Sequence, residues 1–114
     1  MRAIMNGMEA TDLPDRYAGV DARIPAGWEE LQGPSSGVVH LPTRLAWSGL
    51  TDFDIADSGD RFALYCLLLD CGQRSDIGRY VSGDLLRQEW PRLRRATTRN
   101  ITRRWEQRLP GLAA

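Results

Sequence analysis

Hydrophobic and polar positions are unevenly organised along the chain. From residue 57 onward they recur with helical period. Asp57-Ser58 supplies an N-cap, and Phe62, Tyr65, Cys66 and Leu69 follow at i, i+3, i+4 and i+7 until Gly72 offers a stop. Ala63, Leu64, Leu67 and Leu68 make the other face of this segment apolar as well, which predicts a central helix around which the rest packs. Ser75-Asp76 can cap a second helix with Ile77, Tyr80 and Val81 inward, interrupted at Ser82-Gly83-Asp84. Asp84 then caps a third, which places Leu85 or Leu86 and Trp90 on one side. Pro91 follows and is tolerated only if a new turn begins there. Thr97 or Thr98 caps the last helix, where Ile101, Trp105 and Leu109 run i, i+4, i+8 into Pro110-Gly111.

Before residue 57 the pattern changes. Residues 38 to 55 consist of short apolar pieces, VVHLP, LAW and FDI, broken by Pro42, Gly49 and a Thr51-Asp52 turn, which fits extended segments or a small hairpin. Residues 1 to 37 carry DLPD, IPAG and QGPSSG and no sustained period. This reads as an irregular N-terminal arm, whose one amphipathic patch, Trp28 and Leu31 beside Glu29 and Glu30, is expected to fold on a partner. The expected fold is therefore mainly α, a small bundle of about four short helices in a domain spanning 38–114, preceded by an extended or hairpin segment and the arm 1–37.

Composition narrows the chemistry. The longest apolar run, Ala63 to Leu69, is about a third of the roughly 20 residues a membrane span needs. The opening residues carry acids and a proline where a signal peptide would place an apolar core, so a cytoplasmic location is expected. Cys66 and Cys71 diverge by about 140° on a helix, which disfavours a disulfide and suggests two buried, small apolar side chains. The lone His40 sits in VVHLP and offers no base for a nucleophile, and a single histidine with two cysteines falls short of a zinc set. Asp52, Asp54, Asp57 and Asp60 crowd a turn-rich stretch where aspartate is favoured for local hydrogen bonds over metal binding. Neither GxGxxG nor GxxxxGK[ST] occurs. No cofactor, metal or catalytic residue is expected, and the protein should act through surfaces.

Charge supplies those surfaces. All 15 basic residues are arginine, and formal charge is zero. Between Arg87 and Arg108 eight arginines face only Glu89 and Glu106, a net of +6, so the first 86 residues carry −6. Arginine forks suit carboxylates and phosphates alike. The stretch RLRRATTRNITRRWEQR also sets Thr97, Thr98 and Asn100 at a helix start, as in a helix that reads DNA bases while arginines hold phosphates. Candidate partner-binding residues are the anchors Trp28, Leu31 and Trp47, the acids Asp52 and Asp54, and the basic group Arg94, Arg95, Arg99, Arg103 and Arg104.

LPTRLAWSG (41–49), FDIAD (53–57), DIGRYVSGDLLRQEWPRL (76–93) and RRWEQRLPGLAA (103–114) resemble a family of short bacterial proteins with LPxxLxWSG, FDLxD, a Leu-xx-Trp-Pro pair and a closing Trp near Pro-Leu. The stretch ATTRNITRR departs from that pattern. Members are commonly labelled transcriptional regulators and commonly precede a nucleotidyltransferase-like toxin of the AbiE type. The resemblance implies a non-enzymatic antitoxin whose partner adds nucleotides to an RNA acceptor, and which neutralises that toxin by blocking its nucleotide and RNA site. A DNA-binding regulator is the alternative it leaves open.

Overall fold

The computed structural model describes residues 20–46 and 49–113. A helical turn at Val20–Arg23 and a 3-10 turn at Trp28–Glu30 precede strand β1 (Val38–His40). A second 3-10 turn, Thr43–Leu45, leads to β2 (Asp52–Asp54), which pairs antiparallel with β1 so that Val39 faces Phe53. Four helices follow: α1 (Ser58–Cys71), α2 (Arg74–Tyr80), α3 (Gly83–Ala96) and α4 (Arg99–Arg108). The fold is mainly helical, with the expected hairpin in front. Among the described residues no helix is long and apolar enough to cross a membrane.

Helix α1 lies at the centre, as its two apolar faces predict. The Asp57 carboxylate accepts from the Gly59 amide, and Leu64, Tyr65, Leu68 and Leu69 are all buried, with Phe62, Cys66 and Leu67 partly so. The Tyr65 hydroxyl accepts the Ser82 amide at 3.0 Å, tying α1 to the turn between α2 and α3. Both cysteines are free. Cys71 is exposed at the last position of α1, and only Cys66 approaches the expected burial.

Three helix boundaries differ from the sequence expectation, each for a local reason. Helix α2 starts before Ser75, because the Asp76 carboxylate reaches back to the Gln73 amide at 2.9 Å and is itself held by Arg44. Helix α3 is capped by Ser82, whose hydroxyl accepts from Leu85, and Asp84 falls in its first turn. Pro91 starts no new turn; α3 runs through it. An interior proline costs about 3 kcal/mol. Here Leu86, Trp90 and Leu93, buried on both sides of it, hold the axis, while the ring faces solvent.

The irregular character of the N-terminal segment stands, but from Val20–Arg23 onward its independence from the helices does not, since Arg23 already donates to the Asp70 and Gly72 carbonyls. Ile24 and Leu31 are 1% and 8% exposed and join the core, so the packed unit begins well before residue 38. Backbone bonds hold the segment as a strap: the Gln32 amide donates to Gly78 and the Gly33 amide to Val81, both at 2.8 Å. A Cβ on Gly33 would lie 2.3–2.5 Å from the Tyr80 and Val81 backbone, so only glycine permits this approach. The patch Trp28–Leu31 thus folds on its own domain. Periodicity could not reveal this, because the strap is held by main-chain bonds and isolated apolar contacts.

Beneath the helices sits a charged tie. The buried Glu89 carboxylate accepts from Arg61 Nε at 2.8 Å and from Arg92 Nη2 at 2.8 Å, while Arg61 Nη1 also donates to the Ile55 carbonyl. Burial pushes the Glu89 carboxyl up, but the two guanidiniums outweigh it and hold it below its ordinary value. The Arg44 guanidinium lowers Asp76 in the same sense.

Two outcomes follow from this packing. Carboxyls lowered in the folded state contribute stability that is complete above their unfolded values and is lost as pH falls through the folded ones. Unfolding free energy should therefore hold near neutrality and drop below about pH 4.5. In urea titrations across pH, Glu89→Gln should flatten that drop. Gly33→Ala should lower stability by about 2–3 kcal/mol at neutral pH, since the added methyl meets backbone with no room to shift. An unchanged urea midpoint would place the strap outside the cooperative unit.

Candidate basic cleft between the last two helices

Helix α4 is oriented by its apolar stripe. Ile101, Trp105 and Leu109 are buried as the i, i+4, i+8 reading expects, and Thr102 joins them. The Trp105 ring packs on Trp90 of α3 with centroids 6.4 Å apart and planes tilted by 37°. The Trp90 indole Nε1 donates to Glu106 at 2.8 Å, closing the two helices on one another. With Thr97 and Thr98 as the whole connection, the end of α3 and the start of α4 frame an open cleft of about 750 Å³. Its walls are Arg94, Arg95, Thr97, Arg99, Thr102, Arg103 and Glu106, a formal net of +3.

These residues are not equivalent. Glu106 accepts from Trp90 and from Arg94 Nε at 2.7 Å. Burial raises its carboxyl, but the Arg94 and Trp90 hydrogen bonds more than compensate and keep it below its ordinary value, hence ionised at neutral pH. Arg94 is therefore committed within the fold. Among the described residues the guanidiniums of Arg95, Arg99 and Arg103 make no hydrogen bond or ion pair, and all three residues are exposed. Thr102 donates its hydroxyl to the Arg99 carbonyl at 3.1 Å. Thr97 is 9% exposed, and its hydroxyl has no partner among the described residues.

Four of the five arginines singled out in the sequence thus meet in one place. The fifth, Arg104, is half-buried, takes part in an intramolecular interaction and stands apart from the cleft. Trp28 is an internal anchor: its indole donates to the Pro110 carbonyl at 2.9 Å and its ring lies 4.7 Å under the Arg87 guanidinium. Leu31, buried in the core, is no surface anchor. Trp47 lies outside the described residues.

Asp52 and Asp54 are exposed and locally engaged. Asp52 Oδ1 lies 2.6 Å from His40 Nδ1, a contact that lowers the Asp52 carboxyl, and Asp54 accepts from the Ala56 amide. Asp57 caps α1, and Asp60 accepts from the Asp54 amide. Among the described residues none of these four carboxylates is paired with an arginine. No three His, Cys, Asp or Glu side chains of the described residues converge as a metal-ligand set.

Sequence reading missed Thr102 and Glu106 as cleft residues. Their spacing carried a signal, because 99, 103 and 106 fall on one helix face, but the Trp90–Glu106 bond depends on how α3 meets α4. Compared with protein-family models, curated proteins and solved structures, the chain gives no match.

Surface and core should separate cleanly here. Replacing Arg95, Arg99 and Arg103 together by Ala should leave thermal unfolding nearly unchanged, at less than about 0.5 kcal/mol each. Trp105→Ala should cost about 3–5 kcal/mol, read from urea midpoints.

Proposed function

We propose that the chain is a non-catalytic cytoplasmic binding protein, the neutralising member of a pair with a nucleotidyltransferase-like toxin. The motif resemblance of residues 41–114 supplies the partner. The structural observation that supports the reading is the acidic edge of the exposed Asp52, Asp54 and Asp57 and the half-buried Asp60, carboxylates that no described arginine neutralises. A nucleotidyltransferase holds triphosphate and RNA through basic side chains. An acidic edge set on a rigid hairpin and helix start would compete for that surface electrostatically and block it sterically. Four acids elsewhere, Glu30, Asp76, Glu89 and Glu106, are paired with arginines, whereas the edge gathers its carboxylates within nine residues.

A second reading, a DNA-binding regulator, is favoured by one feature. Arg99, Asn100 and Arg103 are exposed at the start of a last helix that follows α3 after a very short turn. An antitoxin that represses its own operon would combine both roles.

Co-expression with the nucleotidyltransferase encoded beside it tests the first reading. The two proteins should co-purify, growth arrest by the toxin should be relieved, and the complex should weaken as salt rises. Asp52→Asn with Asp54→Asn keeps the local hydrogen bonds and removes charge, so it should slow association and reduce protection. A neighbouring toxin that stays active and unbound at low salt refutes the pairing.

A further inference from the structure

We propose that the cleft between α3 and α4 is a phosphate-binding site, built to take a polyanionic phosphate group by Arg95, Arg99, Arg103 and the Thr97 hydroxyl. This assignment does not rest on the toxin pairing.

Charge comes first. Three guanidiniums with no partner among the described residues line one cleft from two helices, and the one nearby carboxylate, Glu106, is engaged by Arg94 and Trp90. One protein carboxylate would neutralise a single arginine and leave two unmatched. A pyrophosphate-like group or successive phosphodiesters carry the several charges that match all three. Guanidinium forks bind such oxygens bidentately.

Thr97 supplies the second, independent observation. Its side chain is nine-tenths buried, lines the cleft, and has no hydrogen-bond partner among the described residues. A buried hydroxyl without a partner is costly and uncommon. A phosphate oxygen seated among the arginines would accept its proton.

The start of α4 adds to the same end. Thr98, its N-cap, makes no side-chain bond to the first turn; the Ile101 amide turns to the Thr98 carbonyl, and the Arg99 and Asn100 amides ahead of it receive no capping side chain. The helix dipole favours an anion at that point. At about 750 Å³ the cleft has the size of small-ligand sites, so a free oligophosphate and a stretch of nucleic-acid backbone both fit.

Calorimetric titration of the full chain with sodium pyrophosphate, and separately with a duplex DNA of mixed sequence, tests the site at constant ionic strength. At least one probe should bind. Arg99→Ala and Arg103→Ala should each weaken binding about tenfold, the usual loss for one charge-assisted hydrogen bond. Thr97→Val, which keeps the shape of the side chain, should weaken binding several-fold, and Thr97→Ser should retain it. Arg79→Ala serves as control, because Arg79 stacks on Tyr80 outside the cleft. Pyrophosphate binding without DNA binding identifies a free oligophosphate as the ligand. DNA binding with the same dependence on Thr97, Arg99 and Arg103 identifies backbone phosphate. The proposal is overturned if neither probe binds, if Thr97→Val is silent in a chain with unchanged circular dichroism, or if Arg79→Ala weakens binding as much as Arg99→Ala.

Discussion

The hydrogen bond from the Trp90 indole to the Glu106 carboxylate sets the relation between the last two helices, and the surface chemistry depends on it. The bond is 2.8 Å long and lies beside the Trp90–Trp105 ring contact, so polar and apolar forces fix the same crossing. Its second effect is electrostatic. Glu106 stands three residues after Arg103, on the same face of α4, where a loose carboxylate would pair with it. Held by Trp90 and Arg94, it is turned to internal use. The same interaction that docks α4 therefore leaves Arg95, Arg99 and Arg103 uncompensated.

A contrast between engaged and free arginines runs through the whole molecule. Arg61 and Arg92 flank Glu89, Arg44 holds Asp76, and Arg74 holds Glu30. Each is a forked contact of a kind lysine would not reproduce, since an ammonium is a point charge on a flexible stem. Glu89 and Asp76 are buried, and removing one partner of such a pair costs more than the pair contributes, because an uncompensated charge remains inside. These arginines are constrained by folding. Arg95, Arg99 and Arg103 of the cleft are not, which is why their triple replacement probes binding without confounding stability.

Helices whose burial follows one period were legible from the residues: the caps at Asp57 and Gly72, the Ile101–Trp105–Leu109 stripe and the two-faced apolar α1 all correspond to observed features. The grouping of Arg99 with Arg103 follows from helical spacing; Arg104, grouped with them in the sequence, stands apart from the cleft in the structure. What stayed hidden depends on distant partners. Trp28 finds the Pro110 carbonyl 82 residues away, and Gly33 matters for the backbone of Tyr80 and Val81. Neither leaves a local pattern. Pro91 misled for the converse reason: its local rule is sound, but the buried Leu86, Trp90 and Leu93 around it override it.

The strap also bears on the cleft through the far end of α4. Trp28 grips the Pro110 carbonyl just past the end of α4, and Arg108, in its last turn, donates to the Ile24 carbonyl at 3.3 Å. Helix α4 is thus held in its first turn by the buried Ile101 and Thr102, and in its last turn by Trp90 and residues 24–28. A helix anchored at both ends cannot swing its first turn freely, so the backbone at Arg99 and Arg103 keeps its distance from that at Arg95. Fixed cations bind an anion without first losing the freedom of the frame that carries them. Loosening the strap should therefore weaken whatever the cleft binds, through geometry alone, while leaving its charge untouched.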